Sequence, residues 1–212
     1  MPAPPTSRGR VVSRLCGATC SAVLLLVPAS WAFVPAPPGS PARANALAGL
    51  TSEYQIKAEV LSRIARYTRW PDSAFADKNT PFVIAVLGKD PFGNHLENAF
   101  EGQRIADRRI VFVRTTEAVG LGNAQLVFVA GRDEKVQEKS IAHFAGQPVL
   151  LVTDTLRGAE LGAQVGFYLE SQRLRFAIST GSAKKAGLEM SSELLKLAKI
   201  VALPSASGEV AQ

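Results

Sequence analysis

Apolar positions between residues 54 and 67 recur at helical spacing. At 100° per residue, Tyr54, Ile56, Ala58, Val60, Leu61, Ile64, Ala65 and Tyr67 share one broad arc. Gln55, Glu59, Ser62, Arg63, Arg66 and Arg69 fill the opposite arc. Ser52, followed three residues later by Gln55, matches a capping box and places the helix start there. Pro71 disfavours helical geometry in the residue before it, so the helix is expected to stop near Trp70. Lys57 interrupts the apolar arc one turn after Glu53. That spacing predicts a rim ion pair whose lysine stem lies over the core; a contact with a partner is the other reading.

Downstream the period changes. Four apolar runs of strand length follow: Phe82 to Leu87, Arg109 to Arg114, Gln125 to Ala130, and Val149 to Val152. They are rich in Val, Ile and Phe and do not alternate, as expected of strands covered on both faces. Helical segments fit between them at Pro91 to Phe100 and at Glu134 to Phe144. The last third differs. Gln164 to Leu169 and Arg173 to Ser179 flank a polar turn, Glu170-Ser171-Gln172. In the second run Leu174, Phe176 and Ile178 alternate with Arg173, Arg175 and Ala177, which predicts a hairpin with one wet face at an antiparallel edge. Leu194, Leu197, Ala198 and Val201 predict a C-terminal helix over Leu188 to Leu203. The fold class that follows is α/β: a three-layer sandwich with a mostly parallel sheet and an antiparallel C-terminal hairpin, Rossmann-like but without a dinucleotide fingerprint.

Charge refines the picture. The 212 residues carry a formal net charge of +6, but Arg8, Arg10, Arg14 and Arg43 precede residue 47 and no acid does. From Leu47 onward 20 basic residues face 18 acidic ones, a balance of +2. A nucleic-acid partner, which needs a strongly basic folded part, is not expected. The leader has a positive start, an apolar run strongest from Ala22 to Val27, Pro28, and then small residues. That is the pattern of a secretory signal, with cuts conceivable after Ala32, Ala44 or Ala46; an uncleaved inner-membrane anchor is the alternative. The chain therefore divides into a leader and Pro/Ala-rich processing region (1–46), a folded domain (47–204) and a loose tail (205–212). Both cysteines, Cys16 and Cys20, fall in the leader, so the exported part would have no disulfide and no thiol nucleophile.

Few motifs suggest chemistry. Asp90-Pro91-Phe92-Gly93 follows the first strand, where open α/β sheets bind ligands. Asp90 suits a helix N-cap and Pro91 the first turn; a ligand or partner contact at Asp90 and Phe92 is the other reading. Gly120-Leu121-Gly122 imitates a dinucleotide loop but lacks the third glycine and precedes a strand, so it reads as a turn. Gly181 to Gly187 has phosphate-loop residues in the wrong order and reads as a helix start with exposed lysines. His95 and His143 lack a second ligand at metal spacing. Asp154 and Thr155 suit a cap or a binding role. No catalytic residue, metal or cofactor is expected.

From Glu53 to Val201 the chain resembles the YfiR family of bacterial periplasmic proteins. The residues that carry the resemblance are Glu53 to Ala58 running on to Arg69-Trp70-Pro71, Leu87 to Gly93, Arg173 to Phe176, Lys184 to Leu188, and Ser191 to Leu197. The resemblance implies an α/β sandwich that often dimerises. It also implies a regulator that represses a membrane diguanylate cyclase by binding its periplasmic domain. Two departures stand out. Gly166 occupies a position where the family typically has Asn, and Ala177 and Ser179 replace a Glu and an Asn.

The expectation is an exported, non-enzymatic protein whose partner is the periplasmic domain of a membrane receptor or diguanylate cyclase, with a homodimer as a further association. The candidate partner-binding residues are Trp70, Asp90, Phe92, Arg173 and Arg175, because aromatic and arginine side chains dominate interface energies. The rival is a periplasmic small-ligand binder using the strand-end crevice near Asp90 and Asp154.

Overall fold

The computed structural model describes residues 41–202. The leader, both cysteines and the tail lie outside the described residues. The elements run α1 (Pro41–Arg66), β1 (Thr68–Arg69), a 3-10 turn (Asp72–Ala74), β2 (Phe82–Leu87), α2 (His95–Ala99), β3 (Ile110–Thr115), β4 (Leu126–Val129) and α3 (Glu134–His143). They continue with β5 (Leu150–Thr153), α4 (Leu156–Leu161), β6 (Val165–Glu170), β7 (Arg173–Ser179), α5 (Thr180–Lys185), β8 (Glu189–Met190), α6 (Ser192–Leu197) and β9 (Lys199–Val201).

Seven strands form one sheet in the order β3-β2-β4-β5-β6-β7-β9. The first five are parallel, β7 is antiparallel to β6, and β9 runs parallel to β7. The first long strand, β2, thus sits between the second and the third, the doubly wound arrangement expected of crossovers that cover both faces. Side-chain alternation sorts the two cores. Ile84, Val86, Leu126, Phe128, Leu150, Val152 and Phe167 face α1 and α2. Ala85, Leu87, Val127, Val129 and Leu151 face the other way, toward Phe144 and Ile141 of the α3 layer. Both faces are buried, which is why these runs carry no polar alternation.

Two buried glutamines pin the strand starts. The Gln125 amide accepts from the Val83 N–H and donates to the Ala74 carbonyl, at 2.8 and 2.7 Å. The Gln164 amide oxygen accepts from the Leu151 N–H at 2.8 Å. Each supplies a bond that the strand ladder does not.

Four expectations need correction. Ser52 lies inside α1, which begins at Pro41, so it is not the cap. The helix stops at Arg66 rather than near Trp70, because Thr68 and Arg69 pair with Met190 and Glu189 as a two-stranded ribbon. The β6–β7 hairpin is not at the edge, since β9 pairs beyond it. The predicted C-terminal helix is only α6; Ala198 is extended, and Lys199 to Val201 satisfy the free side of β7. The short apolar repeat fits either period, and the open ladder of β7 decides for strand. The hairpin turn is tighter than three residues: Ser171 and Gln172 take φ of 49° and 61°, a two-residue turn of the primed type with neither the Asn nor the Gly that usually announces it.

The Gly166 departure has a packing cause. A Cβ at Gly166 would lie 2.4 Å from the Thr155 carbonyl oxygen and 3.0 Å from the Ala159 Cβ. Helix α4 therefore sits directly on the β6 backbone, and buried Ala177 packs against the same helix as part of a small cluster with Ala159. Ser179 is buried and caps α5, accepting from the Ser182 N–H. Both departures are thus parts of this packing. Gly166→Asn is expected to destabilise the fold by about 2–3 kcal/mol through overpacking at the α4 contact. Urea unfolding of the variant checks it, and an unchanged midpoint contradicts it.

Candidate functional site

Helix α1 crosses the sheet from one end to the other. In its second half, Lys57 meets Asp154 at the carboxyl end of β5, and just past its end Trp70 meets Gln125 at the start of β4. The two ends carry different surfaces.

At the carboxyl end Lys57 is only 1% exposed. Its ammonium donates to Glu53 Oε1 and Asp154 Oδ1, both at 2.5 Å, and lies 4.2 Å from the centre of the Tyr54 ring. The Tyr54 hydroxyl donates to the other Asp154 oxygen at 2.7 Å. Asp154 is buried as well, so the pair is shielded from water and its partners must be complete. This corrects the rim-pair expectation for Lys57: the partner that draws the charge inward lies 97 residues away. Burial, and then the hydrogen bond to Asp154, raise the Tyr54 phenol well above its usual 10.0. Thr155 caps α4 through the Gly158 N–H. Outside the cluster lies a cleft of about 280 Å³, lined by Glu53, Arg132, Asp154, Leu156, Phe167, Leu169 and Leu174 among others. Arg132 approaches Glu53 at 3.5 Å from the solvent side.

Asp90 sits at the end of β2 but does not line that cleft. It is not a helix cap: α2 begins only at His95, with Asn94 before it. One Asp90 oxygen accepts from the Phe92 N–H, and the other accepts from Arg114 at 2.7 Å. Arg114 also bridges to Glu97, and hydrogen bonding to Asp90 leads the effects that hold its guanidinium above its ordinary range. Phe92 is 1% exposed and stacks edge-on with Tyr54 and Phe128. It is a core anchor that offers no surface to a partner in this conformation. Arg173 and Arg175 project from the hairpin beyond the cleft, both exposed, with Arg175 3.7 Å from Glu170.

At the amino end the surface is basic. Arg66, Arg69 and Arg104 line a depression of about 490 Å³ together with Thr68, Trp70, Ile105 and Ala106. No carboxylate lines it, and none of the three arginines forms an ion pair among the described residues. An adjoining hollow shares Arg66 and Arg69 and adds Tyr67, Glu189 and Met190. Trp70 is held in place: its ring packs edge-on over Phe82, and its Nε1 donates to the Gln125 carbonyl at 2.9 Å. The Arg104 guanidinium is aimed by the Asp107 carbonyl, in a turn where Ala106 and Asp107 take φ of 49° and 59°. An alanine in the left-handed region is strained, and such strain clusters at functional sites. Of the expected residues only Trp70 belongs to this surface. Arg66 ends α1 and Arg69 lies in β1, and both were legible as charge on the polar arc expected of the helix; Arg104 comes from a distant loop and gave no signal.

A family model described as YfiR/HmsC-like matches residues 54–199. The chain belongs to the YfiR/HmsC-like family. Its match begins at Tyr54 of the buried cluster and ends at the start of β9, so it spans both surfaces. The YfiR/HmsC-like family is one of periplasmic regulators of cyclic di-GMP signalling. No curated protein matches it. Among the described residues no helix is long and apolar enough to cross a membrane.

Two predictions follow from the buried cluster. Lys57→Met leaves Asp154 buried and unpaired and is expected to cost about 3–5 kcal/mol, whereas adding Asp154→Leu recovers most of it; chemical denaturation of both variants measures the difference. For Tyr54 the folded state holds the phenol proton more tightly than the unfolded chain. Its contribution to stability is complete below pH 10 and is lost as pH rises beyond it. Accordingly, Tyr54→Phe is expected to leave the folded protein's phenolate absorbance unchanged up to about pH 12, and a smaller absorbance gain in the variant contradicts this.

Proposed function

We propose that this protein is an exported regulator that restrains a membrane signalling protein, a diguanylate cyclase being the favoured case, by contact with its periplasmic domain. The observation that supports this best is the arginine-lined depression at the amino end of the sheet, with Trp70 rigidly set in its wall. Guanidinium groups without a carboxylate partner among the described residues favour a carboxylate-bearing surface, because such a group can make two charge-assisted hydrogen bonds in one plane. A fixed tryptophan adds contact area with little entropy left to lose. Arg173 and Arg175, on the hairpin at the opposite end, remain candidates for a second contact.

The mechanism is differential binding. A regulator shifts its partner only as far as it prefers one conformation over another. A hundredfold drop in cyclase output requires about 2.7 kcal/mol of preference, within reach of one or two desolvated arginine–carboxylate pairs. The cleft beside Arg132 and Leu156 supports a second reading, binding of a small ligand, which would raise the melting temperature of the pure protein.

Deleting the gene is expected to raise cyclic di-GMP and surface attachment, and wild-type protein to reverse both. Arg66→Glu with Arg69→Glu should fail to reverse them while melting at the wild-type temperature, since both side chains are exposed. Unchanged cyclic di-GMP in the deletion strain removes the cyclase reading; full reversal by the double variant moves the contact away from the arginines.

A further inference from the structure

Sulfur is scarce in this chain. Both cysteines precede residue 47, and from Leu47 onward Met190 is the only residue that carries it. Met190 lies in β8, opposite Thr68 of β1, and it is partly exposed. It lines two hollows. One, of about 290 Å³, it shares with Arg66, Tyr67, Arg69 and Ser191; the other, of about 250 Å³, with Thr180, Lys184, Leu188 and Leu195. Each far exceeds the ~30 Å³ share of one water. A small oxidant therefore reaches the side chain from two sides.

The ribbon that holds Met190 is slight. Strands β1 and β8 pair through two residues each, Thr68 with Met190 and Arg69 with Glu189. Beyond them the Ser191 N–H donates to the Tyr67 carbonyl at 2.9 Å. A two-stranded ribbon has little stability of its own and depends on the apolar side chains it sets against a core. Met190 does this here, packing against the cluster that includes Leu188 and Leu194. Strand β1 carries Arg69 and leads directly into Trp70, so the ribbon positions two parts of the arginine-lined wall.

Oxidation changes the chemistry of that contact. The thioether sulfur attacks one oxygen of a peroxide, the O–O bond breaks and an S–O bond forms. The departing hydroxide takes the proton of the transferred oxygen and leaves as water. Sulfur loses two electrons, and the peroxide gains them. The sulfoxide that results is polar and accepts hydrogen bonds, so holding it against an apolar cluster is unfavourable.

We propose that Met190 is an oxidation site of the exported chain: a peroxide converts it to the sulfoxide, and the modified side chain loosens the β1–β8 ribbon that sets Arg69 and Trp70 in the arginine-lined depression. That this loosening weakens the restraint of a partner rests on the function proposed above; the modification and the loosening do not.

Hydrogen peroxide added to the purified exported chain tests it. Peptide mass mapping is expected to place one added oxygen on Met190, at a rate within about tenfold of free methionine in the same solution. The oxidised chain should melt about 4 °C lower, and the Ser191 amide should exchange its hydrogen about tenfold faster. Methionine sulfoxide reductases should reverse both changes. In Met190→Leu neither should move with peroxide, which separates Met190 from any other oxidised group. In the deletion strain, peroxide should raise cyclic di-GMP further above its untreated level with the wild-type gene than with Met190→Leu. Met190 left unoxidised while free methionine reacts, a sulfoxide that shifts neither melting nor exchange, or equal shifts in Met190→Leu overturns the inference. An equal rise of cyclic di-GMP in the two strains overturns its regulatory half. Where deletion alone leaves cyclic di-GMP unmoved, the function proposed above fails, and the melting and exchange measurements still decide this inference.

Discussion

A lysine ammonium buried between two carboxylates dictates how the first helix lies on this sheet. Leaving Lys57 and Asp154 apart inside the protein would strand two unpaired charges, so every compact arrangement must bring them together. That single requirement sets α1 across the α1-side core with its Lys57 turn at the carboxyl end of β5. Tyr54 then caps the free oxygen of Asp154 and packs on Phe92, which in turn rests on Phe128 in the middle of the sheet. The loop after β2 is thus tied to the charge cluster through aromatic contacts.

Once α1 is fixed at Lys57, its C-terminal end is committed. Arg66 and Arg69 must emerge beside the amino ends of the strands, where Trp70 is clamped between Phe82 and the Gln125 carbonyl. The carboxyl end of the sheet, the usual ligand-binding end of such folds, is here largely occupied by an internal ion cluster whose charges compensate one another. At the amino end Arg66, Arg69 and Arg104 form no ion pair among the described residues. Charge that the fold leaves unpaired is available to a partner, and this is why the regulatory reading places contact at the less familiar end of the sheet.

The central strands were readable from composition, because a run that is apolar on both faces can only be a covered strand at that length. Helix α3 was equally plain, with Asp133 accepting from the Lys135 and Val136 N–H groups at its start. Less was legible where a short segment suited two periods. Leu194 to Val201 reads as helix by spacing, yet the free ladder of β7 takes Lys199 to Val201 as a strand. Asp90 has every mark of a helix cap, yet Arg114 from the next strand claims one of its oxygens and α2 starts later. Phe92 looks like a contact residue in a loop, and only the position of Tyr54 shows that it is core.

The amino-acid sequence by itself determined the layer architecture, the alternation of strand and helix, and the family, since these depend on local period and on residue order. Tertiary structure alone decided which charges are spent and which remain. Lys57 and Asp154 stand 97 residues apart, and Arg104 reaches Arg66 and Arg69 from another loop, so no local pattern could report either grouping. Electrostatic pairing depends on distance through space and on removal of water, and both are fixed only when the chain has packed.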